Sequence, residues 1–150
     1  MGERQAEQSA EVAATPEICF EVAVDYDTVA DWQRAAKAAE VRERYPDGLG
    51  KVVEWHVDLA VRELRYTLLY SYEPPHEISW DFVKGDLLRD IGGGYRFEPL
   101  DGNRTRITYA VTVEPWIRVP GFIARRLEKE MMKRSVEDLK REVERRAGPD

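Results

Sequence analysis

Two periodicities divide this chain, and their order leaves few folds open. From Lys51 to Val113 the chain is strand-like, and in places apolar residues recur at every second position. "EISWDFV" (Glu77 to Val83) shows it plainly: Ile78, Trp80 and Phe82 share one face, Ser79 and Asp81 the other. Such alternation marks half-buried strands. "KVVEWHVDL" (Lys51 to Leu59) and "ELRYTLLYSY" (Glu63 to Tyr72) are further strands, rich in β-branched and aromatic residues, and Pro74-Pro75 ends the second. Gly85-Asp86 turns the chain and "GYRFEP" resumes a strand. "LDGN" (Leu100 to Asn103) turns it again, and "RTRITYAVTV" (Arg104 to Val113) alternates once more. Short turns between alternating runs build antiparallel hairpins. From about Arg118 to Arg146 the apolar residues take helical spacing: Phe122, Ile123, Leu127, Met131, Met132, Val136, Leu139 and Val143. That predicts one amphipathic helix of roughly 40 Å, at about 1.5 Å per residue, stopped by Gly148-Pro149. A sheet with one face to cover and one long helix to cover it predict an α+β grip.

The front of the chain is less plain. "EICFEVAV" (Glu17 to Val24) alternates like a strand. Yet Thr15-Pro16-Glu17 supplies an N-cap, a proline at the first helical position and an acid in the first turn. The pattern leaves both open; the cap signals favour a helix. "DYDTVADWQ" (Asp25 to Gln33) reads as a second short helix. "RQAEQSAEV" (Arg4 to Val12) supplies a strand before them and "AAKAAEVRER" (Ala35 to Arg44) one after. The expected order is β-α-α-β-β-β-β-β-β-α.

With 150 residues, 43% of them hydrophobic and 35% charged, the composition is that of a globular protein of one domain, with tails at about 1–5 and 147–150. A net charge of -6 disfavours unspecific nucleic-acid binding, which needs a basic face. One cysteine, Cys19, excludes an intramolecular disulfide and reads as a small packed residue. "MGERQAEQSAEVAA" lacks the apolar core of a signal peptide, and no apolar run approaches the ~20 residues that span a bilayer. A soluble, cytoplasmic protein is the expectation. In the closing helix, Arg125 to Arg134 and then Lys140, Arg141, Arg145 and Arg146 form a basic flank. Interleaved Glu128, Glu130, Glu137, Asp138, Glu142 and Glu144 favour i,i+4 surface pairing, and with it at most transient membrane contact.

The strands' apolar parity carries Trp55, Val57, Tyr66, Leu68, Tyr70, Tyr72, Ile78, Trp80, Phe82, Ile91, Tyr95, Phe97, Ile107, Tyr109, Val111 and Val113. Periodicity alone is satisfied by a filled core. Acid-base groups are scarce on that parity. His56 points outward with Glu54 and Asp58, Asp81 points away from Trp80, and His76 follows two prolines in a loop. Two isolated histidines give no metal-ligand spacing, and neither a Ser-His-Asp arrangement nor a cofactor motif appears. Arg89 shares the parity of Ile91 and reads either as a solvated strand-end residue or as a cation at the mouth of a cavity. Gly92-Gly93-Gly94 leads into a strand rather than a helix and lacks the G-x-G-x-x-G spacing of a phosphate loop. Glycines within a strand mark a bulge, a bend or a close approach.

The order of elements and four local stretches resemble the helix-grip superfamily: the birch-pollen-allergen-like and START-like lipid-transfer proteins. The nearest branch is that of polyketide cyclase/dehydrase and coenzyme-Q-binding proteins. "ATPEICFEVAVDYDTVADW" resembles the family's opening helix pair and "RYTLLYSYEPPHEISWDFVKGDLL" its central hairpin. "GGGYRFEPLDGNRTRITYAVTV" resembles its glycine-to-aromatic segment, with Tyr95 where a Trp is usual. "VPGFIARRLEKEMMKRSVEDLKREVE" resembles its closing helix.

The resemblance implies a curved sheet of about seven strands, wrapped on the long helix around a hydrophobic cavity. Trp55, Tyr66, Leu68, Tyr70, Trp80, Phe82, Tyr95, Ile107 and Tyr109 of the sheet would face it, with Phe122, Leu127 and Met131 of the helix. Two functions are open. One is binding of a lipid, quinone or aromatic polyketide; the other is polyketide cyclisation or dehydration, for which Tyr66, Tyr109 and Arg89 are the candidate groups.

Overall fold

The computed structural model describes residues 6–58, 63–86, 88–115 and 121–148. Its elements follow the expected order: β1 (Ala6–Val12), α1 (Pro16–Ala23), α2 (Val29–Trp32), β2 (Ala36–Arg44), β3 (Gly50–Asp58), β4 (Glu63–Glu73), β5 (Glu77–Gly85), β6 (Leu88–Leu100), β7 (Arg104–Pro115) and α3 (Gly121–Ala147). The strands form one curved antiparallel sheet, ordered β1-β7-β6-β5-β4-β3-β2. Consecutive hairpins place β2 to β7 side by side, and β1 closes the far edge against β7. This is an α+β helix-grip fold.

The caps decide the ambiguous front. Thr15 is extended, and its hydroxyl accepts a hydrogen bond from the Ile18 amide at 3.4 Å, with Pro16 in the first helical position. Thus "EICFEVA" becomes helix, and it buries Cys19, Phe20 and Val22 on one side. The second helix is shorter than expected, since 25–28 form a turn and only four residues are helical.

The long helix lies on β1 and β7 and against α1 and α2. Polar contacts fasten it along its second half. The Ala13 amide donates to Glu144 Oε2 at 3.0 Å, Lys140 Nζ donates to the Glu11 carbonyl at 2.8 Å, and Arg146 reaches Asp25 Oδ2 at 3.1 Å. Asp138 departs from expectation. It is almost fully buried, and its carboxylate accepts from the Arg34 amide (3.0 Å), Arg34 Nε (2.9 Å) and Arg141 (2.7 Å). Glu128 and Glu142 are buried as well. The expected i,i+4 pairing joins Lys140 to Glu144 and Arg146 to Glu142, and Arg141 meets Asp138 at i,i+3, but the carboxylates of Glu142 and Asp138 are buried rather than at the surface.

The glycine triplet lies inside β6, and its backbone explains the residue type. Gly93 has φ +139°, and a Cβ there would stand 2.0 Å from the Ala110 carbonyl oxygen. A Cβ on Gly94 would stand 2.2 Å from the Ile78 carbonyl oxygen. Both neighbouring strands approach too closely for any side chain. Pairing of β5 with β6 ends at Trp80↔Gly93, whereas β6 stays paired with β7 to Leu88↔Pro115. The sheet parts beyond that point, so Asp81–Gly85 pairs with β4 alone. Of the other expectations, Leu59, the helix start at 118–120 and the tails at 1–5 and 149–150 lie outside the described residues, as do the side chains of Ile123, Leu127 and Met131.

Candidate functional site

Cross-strand register gathers the aromatic parity onto one face. Trp55 pairs with Tyr66, Tyr70 with Trp80, Leu68 with Phe82, Ile78 with Tyr95, and Tyr95 with Tyr109. The concave face so built does not meet α3 everywhere. A cavity of about 100 Å³ remains, walled on the sheet side by Trp55, Val57, Tyr66, Leu68, Tyr70, Ile78, Trp80, Ile91, Tyr95 and Tyr109. Ser135 and Leu139 of α3 close it, together with Ala23, Tyr26, Val29, Trp32, Gln33, Ala35 and Ala36 from the α1-to-β2 stretch.

Seven of the expected binding residues thus line one cavity, while Phe82, Ile107 and Phe122 do not. Ile107 is fully buried but lies where α1 and α3 rest directly on the sheet, so no space remains beside it. Phe82 packs against the core without reaching the void. Phe122 is 69% exposed. It sits on the outer line of α3 with Arg126, Lys129 and Lys133, at i, i+4, i+7 and i+11, and not on the line that buries Met132, Val136 and Leu139. Of the candidate reactive groups, Arg89 is exposed on β6, outside the lining. Tyr66 and Tyr109 stand in the wall. The α1-to-β2 wall is the part sequence reasoning missed. Its signal was the aromatic pair Tyr26 and Trp32 in a polar stretch, which strand periodicity cannot assign to a face.

The polar atoms of the cavity fall into two groups. At one end Tyr26 and Tyr72 hydroxyls meet at 2.8 Å, Tyr72 donates to the Gly50 carbonyl at 2.6 Å, and Trp55 Nε1 donates to the Tyr70 hydroxyl at 2.9 Å. These groups are satisfied and hold the wall rigid. In the middle lies the second group. Tyr95 stacks on Tyr109 with ring centroids 4.7 Å apart, and Trp80 meets both rings at 5.8 and 5.7 Å. Among the described residues no hydrogen bond reaches the hydroxyls of Tyr66, Tyr95 or Tyr109. The buried Nε1 atoms of Trp32 and Trp80 have no partner either. Unpartnered buried donors are costly, and a site that gathers several of them is poised for an acceptor.

Electrostatics fix what these hydroxyls can do. Burial pushes Tyr109 up to about 12 and raises Tyr66 and Tyr95 well above the usual tyrosine range. They keep their protons at neutral pH and act as donors, not bases. The partly accessible surface of the three rings opens on the cavity, so they are withdrawn from bulk water though not packed solid. Among the described residues no charged side chain lines the space. The Asp138 carboxylate, held by Arg34 and Arg141, is outside the lining; its charge contributes to raising Tyr95 after burial and Tyr109. His56 pairs with Glu63 at 2.8 Å on the outer face, and the His76 ring lies 3.3 Å from the Phe97 carbonyl. Among the described residues no three His, Cys, Asp or Glu converge as a metal site. Burial raises Cys19 to about 11, which makes it an inert packed thiol.

Residues 3–144 match a family model described as polyketide cyclase / dehydrase and lipid transport. Solved structures share the fold at low identity. A START superfamily protein from Mycobacterium smegmatis is 21% identical, with TM-score 0.88 over 96% of this chain and 99% of that one. The Zhui aromatase/cyclase from Streptomyces sp. R1128 is 22% identical, with TM-score 0.81 over 98% and 97%. The di-domain aromatase/cyclase BexL of the BE-7585A biosynthetic pathway is 16% identical, with TM-score 0.75 over 97% of this chain and 48% of that one. No curated protein matches the sequence.

Proposed function

The chain belongs to the polyketide cyclase/dehydrase and lipid-transport family, and on that premise we propose that it binds a neutral hydrophobic small molecule between sheet and helix. One observation carries the reading: an aromatic cavity in which, among the described residues, no charged group lines the space and Tyr66, Tyr95, Tyr109, Trp32 and Trp80 present polar groups without a hydrogen-bond partner. A ligand ring stacks among the aromatics and its oxygen accepts from the donors. A carboxylate would enter without a counter-charge, at a high desolvation cost. At about 100 Å³ the cavity is smaller than the roughly 300–1,000 Å³ of drug-sized sites, so a ligand of several rings displaces part of a wall.

The second reading is cyclisation or dehydration of a poly-β-ketone in the same space. The family description and the aromatase/cyclase structures support it. In it Tyr66 and Tyr109 stabilise a developing enolate as donors. Among the described residues the lining offers no general base, which favours binding over chemistry.

Native mass spectrometry of the purified protein, followed by organic extraction, tests the first reading. A co-purifying apolar compound of stoichiometric amount is the expected result. Protein that is ligand-free and takes up no quinone, lipid or aromatic ketone contradicts it. If a poly-β-ketone is turned over, and Tyr66→Phe or Tyr109→Phe abolishes turnover while affinity stays, the second reading replaces the first.

A further inference from the structure

The two halves of α3 treat their cations differently. In the second half every cation is engaged: Lys140 with Glu144, Arg141 with Asp138, Arg145 and Arg146 with Glu142. In the first half Arg125, Arg126, Lys129, Lys133 and Arg134 are all exposed, and among the described residues none takes part in an ion pair. The acids that would balance them are few. Glu128 turns inward, and Glu130 is the exposed acid of that stretch. This local excess of positive charge stands on a chain of net charge -6. The first turn also carries no acidic residue, so these cations stand toward the helix end whose dipole favours anions. Local helix stability gives no reason for them. Phe122, 69% exposed, heads the outermost line, with Arg126, Lys129 and Lys133 below it at helical spacing.

We propose that this face, Phe122 with Arg125, Arg126, Lys129, Lys133 and Arg134, docks the protein on an anionic lipid surface. The charges are complementary to acidic headgroups, and each cation near such a surface contributes about 1 kcal/mol. Phe122 is an apolar tip that enters the headgroup layer, where an aromatic ring is at home. Five cations spread along one helix face around a single exposed aromatic ring suit a flat, fluid, anionic partner. The contact is peripheral: no described helix is long and apolar enough to cross a membrane, and Met132, Val136, Leu139 and Val143 of α3 are already buried in the molecule. The inference stands apart from the cavity reading, since binding to vesicles needs no cavity ligand.

Vesicle co-flotation tests it, with the full chain, in vesicles of phosphatidylcholine alone and with about a third phosphatidylglycerol. The account expects flotation with the anionic vesicles only, at about 0.1 M salt, and its loss near 1 M, where charges are screened within about 3 Å. Lys129→Glu/Lys133→Glu lowers the partition coefficient about tenfold or more, and Phe122→Ser lowers it several-fold, with circular dichroism unchanged. Failure to float with anionic vesicles overturns the proposal. So does equal flotation with neutral ones, or undiminished binding by the double variant. Binding of a soluble polyglutamate peptide without binding of vesicles reassigns the stripe to an acidic protein and overturns it equally.

Discussion

Tyr70 and Tyr109 stand in the same wall and differ in one respect. The Tyr70 hydroxyl accepts from Trp55 Nε1, and the Tyr109 hydroxyl meets no partner among the described residues. Tyr70→Phe strands a buried indole donor, so it lowers stability by about 1–3 kcal/mol. Tyr109→Phe removes a hydroxyl that bonds nothing, so stability stays within about 0.5 kcal/mol of the parent while affinity for a carbonyl ligand falls. Urea unfolding of both variants checks the contrast; equal losses would mean that the Tyr109 hydroxyl is a structural group. The glycines offer a sharper test. Gly93→Ala meets a carbonyl oxygen and a forbidden φ and costs about 3 kcal/mol or more, whereas Gly92→Ala meets nothing within 4 Å and is nearly neutral. The sequence signal, three glycines leading into a strand, left a bulge, a bend or a close approach open. Which two of the three are obligatory depends on Ala110 and Ile78, strand neighbours that no local pattern names.

The helix α3 joins the molecule through its acids. Asp138 ties it to the α2–β2 junction, so Asp138→Ala lowers stability by about 2 kcal/mol, while Glu137→Ala, half exposed and 3.9 Å from Arg34, changes it little. Thermal unfolding of both distinguishes a latch from a surface pair. Glu142 adds a pH term. Hydrogen bonding to Arg145, and then to Arg146, lowers its carboxyl from 4.5 to about 2. A depressed folded value stabilises fully above the unfolded value, and the contribution is lost as pH falls from about 4.5 through about 2. Glu142→Gln therefore flattens the acid limb of melting temperature against pH over that window. A variant that retains the full acid limb would assign it to other carboxylates. The elements themselves were legible, because alternation and helical spacing are local. The burial of Asp138 was not, because its partner Arg34 lies more than a hundred residues away. Phe122 failed for a related reason: next to Ile123 it looks like the apolar face, and only the line of Arg126, Lys129 and Lys133 shows which side it is on.

At the scale of the molecule, sheet and helix share one interior that is filled at one end and open at the other. Val12, Phe97, Ile107 and Val143 pack without space beneath α1 and α3, while the aromatic end keeps its cavity. Alternation named most of the sheet wall. It could not distinguish a packed core from a vacant one, since both need the same apolar face. The cavity lies between the sheet, α3 and the α1-to-β2 stretch, and Arg34 with Asp138 ties that stretch to α3. Arg34→Ala should therefore speed uptake of a ligand larger than the cavity, which stopped-flow tryptophan quenching would detect as a faster association rate; an unchanged rate would place the entrance elsewhere. The central claim is that the unpartnered donors of the cavity receive a ligand. The indole N–H signals of Trp32, Trp55 and Trp80 report on it directly in a two-dimensional ¹⁵N NMR titration with 1,4-naphthoquinone, a neutral ring with two acceptors. Binding as described moves the Trp32 and Trp80 indole signals strongly and Trp55, already donating to Tyr70, much less. Indole signals that stay in place up to the solubility limit of the quinone would contradict the account.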